Sequence, residues 1–267
     1  MLPRPWLRKP EVHLFVLWSE ARALEQRILD DIAAHFTVLE LVEVTWTPGE
    51  VFAGNLSRMY GDALPPGSDK EVHCGSGPFL AVVVRDERPR YRVRRTNRGP
   101  QLLPSNVFDA RSRYRQWTGG GYRVHASDST AEAERNLVLL LGRWSAEFPR
   151  GDGAIRSTAG DPLGTDGWRS VGELVMALEA HGGSLASRST GPDCDRLTVR
   201  TPDAWWAERI TGGHEVRPRV LDVPVADGTV RLDLVEVRPR RTLNWVDHVR
   251  PVIRTLRRLR AVVRPSG

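Results

Sequence analysis

The chain has 267 residues, 40% hydrophobic and 27% charged, with nine tryptophans, a composition that suits a folded globular protein and excludes a disordered one. No run of about 18 apolar residues occurs, so no membrane span is expected. Cys74 and Cys194 show neither metal-ligand spacing nor a disulfide framework, and the net charge of +6 rests almost entirely on arginine.

The first apolar run, EVHLFVLW (residues 11–18), reads as a buried strand. The basic segment before it has too short an apolar stretch, and no small-residue cleavage site, for a signal peptide, so a cytoplasmic setting is expected. In the next stretch, SEARALEQRILDDIAAHF, Ala23, Ile28, Ile32 and Phe36 recur at helical intervals. TVLELVEVTW alternates like a strand, VFAGNLSRMYGDAL reads as a helix, GPFLAVVVRD as a strongly apolar strand and YRVRRT as a further strand. TAEAERNLVLLLG is expected to be a helix starting near Ser129 and stopping at Gly142. The Gly- and Pro-rich stretch that follows has no periodicity and reads as a linker over 147–165. Beyond it come an amphipathic helix, WRSVGELVMALEAHGG, stopped by Gly182 and Gly183, the strands RLTVRT and TVRLDLVEV, a helix around PDAWWAERI, and a basic C-terminal helix interrupted by Pro251. The reading is therefore α+β, with two domains over 11–146 and 166–267.

Seven arginines fall within residues 85–98, and six more in the last eighteen residues. Guanidinium forks match phosphate oxygens, so a nucleoside triphosphate or another phosphorylated small molecule is the expected partner. Nucleic acid comes second, because no aromatic-interleaved reading motif accompanies the arginines. The three glycines Gly119, Gly120 and Gly121 allow positive φ or close backbone approach; with Arg111, Arg113 and Arg115 upstream they frame either a phosphate or a plain turn.

The sharpest motif is HASDSTAEAERNLVLLL, opening at His125. Together with LSRMYG and GPFLAVVV earlier in the chain, it resembles nucleoside diphosphate kinases, whose pattern is H-G-S-D-S, then S-A-E-R-E and an apolar helix. The resemblance covers residues 11–142 and implies a ferredoxin-like sheet with helices. It also implies that His125 takes a phosphoryl group, with Arg94, Arg111 and Arg115 in the region of the phosphate-binding arginines. A neutral imidazole is a competent nucleophile near pH 7, and Glu132 or Glu134 is available to fix its tautomer. Two positions depart from the family: Trp18 stands where a phosphate-reaching lysine is expected, and Tyr122 where an asparagine is expected. The resemblance thus implies a degenerate member, with His125 either a phosphate ligand or a relict.

The second half carries GGSLASRSTGPDCDRLTV and TVRLDLVEV, which look like the nucleotidyltransferase fold of the DNA polymerase β superfamily over residues 166–250. That resemblance implies a Gly-Ser phosphate turn at Gly183 and Ser184 and metal-binding carboxylates at Asp193, Asp195 and Asp233, with Asp233 as base. Strand residues i and i+2 share a face, so Asp193 and Asp195 can act together; a third carboxylate on a neighbouring strand completes an oxygen site for Mg²⁺ or Mn²⁺. Arg196 departs from the family, which expects an apolar residue there. The expected function is metal-dependent nucleotidyl or phosphoryl transfer to a small-molecule or polysaccharide-precursor acceptor. The alternatives are a non-catalytic nucleotide-binding protein with decayed sites and a glycosyl-type transferase using a nucleotide-sugar. His73 beside Cys74, the pair Trp205 and Trp206, and Trp245 with His248 all have packing explanations and carry no separate expectation.

Overall fold

The computed structural model describes residues 9–96, 99–148, 155–161, 163–164, 167–168, 170–180, 183–190, 194–201, 211, 214–217, 220–225 and 228–236. Asp193, Gly182, Trp205, Trp206, Trp245, His248, Pro251 and the two expected helices that carry the last five lie outside them. The chain is α+β with mixed sheets.

The first half runs β1 (Glu11–Leu17), a 3₁₀ turn at Ser19–Leu24, α1 (Glu25–His35), β2 (Thr37–Val44), α2 (Glu50–Tyr60), α3 (Asp69–Cys74), β3 (Phe79–Asp86), β4 (Tyr91–Thr96), β5 (Gly99–Pro104), α4 (Ser105–Trp117), β6 (Val124–Ala126) and α5 (Thr130–Leu141). One sheet has the order β6-β1-β3-β2-β7, with β7 at Ile155–Ala159; the first four strands are mutually antiparallel and β7 lies parallel to β2. β1 and β3 are central and buried on both faces, which is why their sequences read as unbroken apolar runs. One face, with Phe15, Leu17, Val82 and Val84, packs on Ile28 and Ile32 of α1 and on Val107 and Tyr114 of α4. The other, with Val16, Trp18, Val42 and Val83, packs on α2 and α5. In the first helical stretch the buried positions are Ala21, Ile28, Leu29, Ile32 and, at its end, Phe36; Ala23 is exposed, because the opening turn is 3₁₀ and shifts the phase.

α5 forms as its sequence dictates. Ser129 caps it by accepting from Glu132 N at 3.1 Å, Glu132 reaches back to Asp128 N at 2.6 Å, and Gly142 closes it in the left-handed conformation.

The segment read as a linker is not structureless. Within it, Ile155–Ala159 adds β7 to the first sheet, and Asp161 accepts from the Thr47 backbone and hydroxyl and from Asn55. As an edge strand with largely exposed side chains, β7 shows no apolar alternation, so only backbone pairing defines it.

The second half contributes β8 (Leu163–Gly164), β9 (Gly167–Trp168), α6 (Val171–Ala180), β10 (Ser184–Thr190), β11 (Asp195–Thr201), β12 (His214–Arg217), β13 (Val220–Val225) and β14 (Gly228–Glu236). Their sheet has the order β10-β11-β14-β13-β9-β8, with β12 on β13 and β11 parallel to β14. Leu197, Val199 and Leu232 face Leu174 and Leu178 of α6, and this apolar cluster is continuous with that under α5.

β4 and β5 form a separate two-stranded ribbon, paired from Tyr91↔Pro104 to Thr96↔Gly99, rather than a further strand of the main sheet.

Candidate functional site

His125 lies on β6, the edge strand, opposite Val16 of β1, so its ring points to the face covered by α2 and α5. It is 4% exposed. The Asn136 side-chain amide of α5 lies 2.9 Å from Nε2, and Glu132 Oε1 is 3.9 Å from the same nitrogen. Tyr60 of α2 meets the imidazole edge-on at a centroid distance of 5.5 Å. Of the two glutamates proposed to orient the ring, Glu132 is near it, whereas Glu134 is bound to the Ser145 backbone and hydroxyl. The nearest polar partner, Asn136, is an uncharged amide inside the apolar run of α5, eleven residues on, and carries no sequence signal of its own.

The arginines divide. Arg115 donates to Val124 O at 2.7 Å and Arg111 to Ala126 O at 3.0 Å, the outward carbonyls of β6 on either side of His125. Arg111 also pairs with Asp128 at 2.8 Å. The two guanidiniums thereby satisfy an open sheet edge and bring positive charge to the histidine. Arg94 is not brought to His125: its Nε and Nη2 donate to the two carboxylate oxygens of Asp109, at 3.0 and 2.6 Å.

A third cation comes from α3, a helix that is not among the elements expected from the sequence. Lys70, one of the chain's two lysines, lies over the Tyr60 ring at 4.2 Å and pairs with Asp62 at 3.1 Å. The signal for α3 was present in S-D-K-E: Ser68 accepts from Glu71 N, and Glu71 reaches back to Gly67 N at 2.7 Å.

Trp18 is fully buried against Trp46, Phe52 and Phe79, and its Nε1 donates to Tyr60 Oη at 3.3 Å. It therefore builds the floor that carries Tyr60 and supplies no charge. Cys74 is buried beside Tyr60; burial pushes its thiol up to about 12, so it is a neutral donor and not a thiolate nucleophile. The triple glycine takes positive φ at all three positions, and a Cβ on Gly121 would stand 2.7 Å from the His73 ring. That loop needs glycine for its own packing against α3.

Burial, then Arg111, Arg115 and Lys70, hold the His125 imidazole well below its ordinary value, so it is neutral. Burial, followed by the Asp128 carboxylate, pushes the Glu132 carboxyl up against the lowering pull of the Asp128 backbone donor. The centre thus has a neutral nucleophilic ring in a positive field, the electrostatics that favour an anion.

Of the second constellation, Asp193 lies outside the described residues, and Asp195 and Asp233 do not come together. Asp195 is in register with Val230 and Asp233 with Thr198; the two aspartates are three positions apart on parallel neighbours and lie on opposite faces of the sheet. Asp195 pairs with Arg188 at 2.7 Å, and Asp233 with Arg196 at 3.3 Å. Among the described residues no group of three or more His, Cys, Asp or Glu is placed to hold a metal ion. Gly183 N donates to Leu178 O at 2.9 Å and so closes α6, while Ser184 is an exposed residue of β10 paired with Arg200. The Gly-Ser pair is a helix-to-strand turn.

No family model matches the chain, and no curated protein does. Among solved structures, a nucleoside diphosphate kinase of Aquifex aeolicus is similar, with 19% sequence identity over 52% of this chain and 99% of that one and a TM-score of 0.35. Among the described residues no helix is long and apolar enough to cross a membrane.

Proposed function

We propose that the chain binds a nucleotide or a similar phosphorylated small molecule against β6 and that His125 accepts its terminal phosphoryl group. The observation carrying this reading is the placement of the buried His125 imidazole between Arg111 and Arg115, which hold the carbonyls on either side of it, and against Tyr60, over which Lys70 lies. The βαββαβ strand order of the first sheet, β6-β1-β3-β2, is that of ferredoxin-like folds and supports the sequence resemblance on which this reading also draws.

The Asn136 amide presents its nitrogen to Nε2; turning the amide over, so that its oxygen accepts from Nε2–H, leaves the lone pair on Nδ1. That nitrogen attacks the terminal phosphorus, the bond to the bridging oxygen breaks, and the nucleoside diphosphate leaves with the electron pair. The three cations stabilise charge on the transferred group. No step here runs through Asp195 or Asp233; Mg²⁺ or Mn²⁺, if required, comes with the nucleotide.

The test is incubation with γ-labelled nucleoside triphosphate. Acid-labile label on the wild type that is absent from His125→Ala supports transfer. A second reading, phosphate binding without transfer, is favoured by an amide in place of a carboxylate at Nε2, which offers no countercharge to an imidazolium-like state. It predicts nucleotide binding that weakens in Lys70→Met and Arg115→Gln, with no label on either wild type or variant.

A further inference from the structure

The sequence clusters its arginines; the structure shows how they are laid out. The β4–β5 ribbon pairs with neither larger sheet, and its base is fixed where the Ser105 backbone and hydroxyl both donate to Arg90 O, at 2.6 and 3.0 Å. Arg88, Arg90, Arg92 and Arg95 are all exposed along the base and first strand of this ribbon. None of the four forms an ion pair among the described residues. The neighbouring acids have other partners: Glu87 binds Arg85, Asp109 binds Arg94, and Asp86 accepts from Arg88 N and Asn106. A cleft of about 490 Å³ opens at the base, with Arg88, Arg90 and Arg113 on its walls.

Arg88 and Arg90 precede the strand, while Arg92 and Arg95, three residues apart on β4, lie on opposite faces of the ribbon. The four guanidiniums are therefore spread along the ribbon and over both of its faces, an arrangement suited to several phosphates on two sides and not to one. Val93 is the large apolar side chain exposed on this strand, at 62%, so there is no apolar face to enter a lipid surface. Duplex DNA offers phosphates in series, and its major groove admits a two-stranded ribbon. We infer that the β4–β5 ribbon is a docking surface for the phosphate backbone of duplex DNA, engaged through Arg88, Arg90, Arg92 and Arg95. This inference does not depend on the chemistry at His125.

The test is fluorescence anisotropy of a labelled DNA duplex titrated with the full chain at several salt concentrations. Four neutralised phosphates contribute a slope of about −3.6 in log K against log salt, so affinity through the ribbon falls about a hundred-fold between 50 and 200 mM salt. The quadruple variant Arg88→Gln/Arg90→Gln/Arg92→Gln/Arg95→Gln loses that contribution, and the four Arg→Lys changes keep it; thermal melts verify that both are folded. Folded glutamine variant with an unchanged slope, no wild-type binding at 50 mM salt, or equal affinity for anionic vesicles or polyglutamate would each overturn the proposal.

Discussion

The two motif-bearing regions differ in what their folds do with them. Around His125, residues from α2, α3, α4 and α5 converge on one edge strand, and the sequence neighbours of the histidine cap the helix that supplies Asn136. Around Asp195 and Asp233, two parallel strands carry their carboxylates to opposite faces, each beside an arginine. Spacing within one strand decides which residues share a face. Only register between strands decides whether two strands share a site, and register is set by the core that each strand buries.

The contrast breaks most visibly at Trp18. Trp18→Lys would put an ammonium among three buried aromatic rings, and Trp18→Ala would leave a cavity; each is expected to cost about 3–5 kcal/mol or more, read by urea denaturation. A lysine variant as stable as wild type would mean that this floor tolerates charge and that the first region is less built than described.

The next effect is pH dependence. The folded state holds the His125 value below that of the unfolded chain, so the unfolded chain takes up the proton first. Stability therefore falls as pH drops below about 6.5, by about 1.4 kcal/mol per pH unit, until the folded value is reached. Glu132, whose value is raised, works in the opposite sense: it contributes stability at low pH that is lost as pH rises through its folded value. The measurement is thus the difference between wild type and His125→Asn, in which the histidine contribution vanishes.

Smaller still, Ser129→Ala removes the cap of α5 and is expected to cost about 1 kcal/mol by thermal unfolding. Smallest, Asp233→Asn lies on a solvated ion pair and is expected to change stability by about 0.5 kcal/mol or less, with any Mn²⁺-dependent shift in melting temperature the same before and after. A Mn²⁺ shift lost in the variant would restore the carboxylate site and erase the difference between the regions.

What the sequence disclosed follows from the range of the forces involved. α5 was legible to its cap and stop because Ser129, Glu132 and Gly142 act within one turn. β1 and β3 were legible because burial on both faces leaves an apolar run. β7 was hidden because an exposed edge strand makes no demand on side chains. Lys70 was hidden as a site residue because it reaches Tyr60 from a six-residue helix in a Gly- and Pro-rich stretch. Arg94 was misplaced because its position in the chain said nothing of Asp109, fifteen residues on.

The parallel pairing of β2 with β7 has a consequence for dissecting the chain. The partners Glu40 and Ile155 are joined across the whole intervening unit. A fragment ending at residue 148 would retain every residue around His125 yet strip the cover from β2, a strand rich in valine and leucine, leaving an unpaired backbone rim on which copies can stack. A fragment that extends past Ala159 to Asp161 keeps β2 covered and moves the open edge to the polar β7, held in place by the clamp onto Thr47 and Asn55.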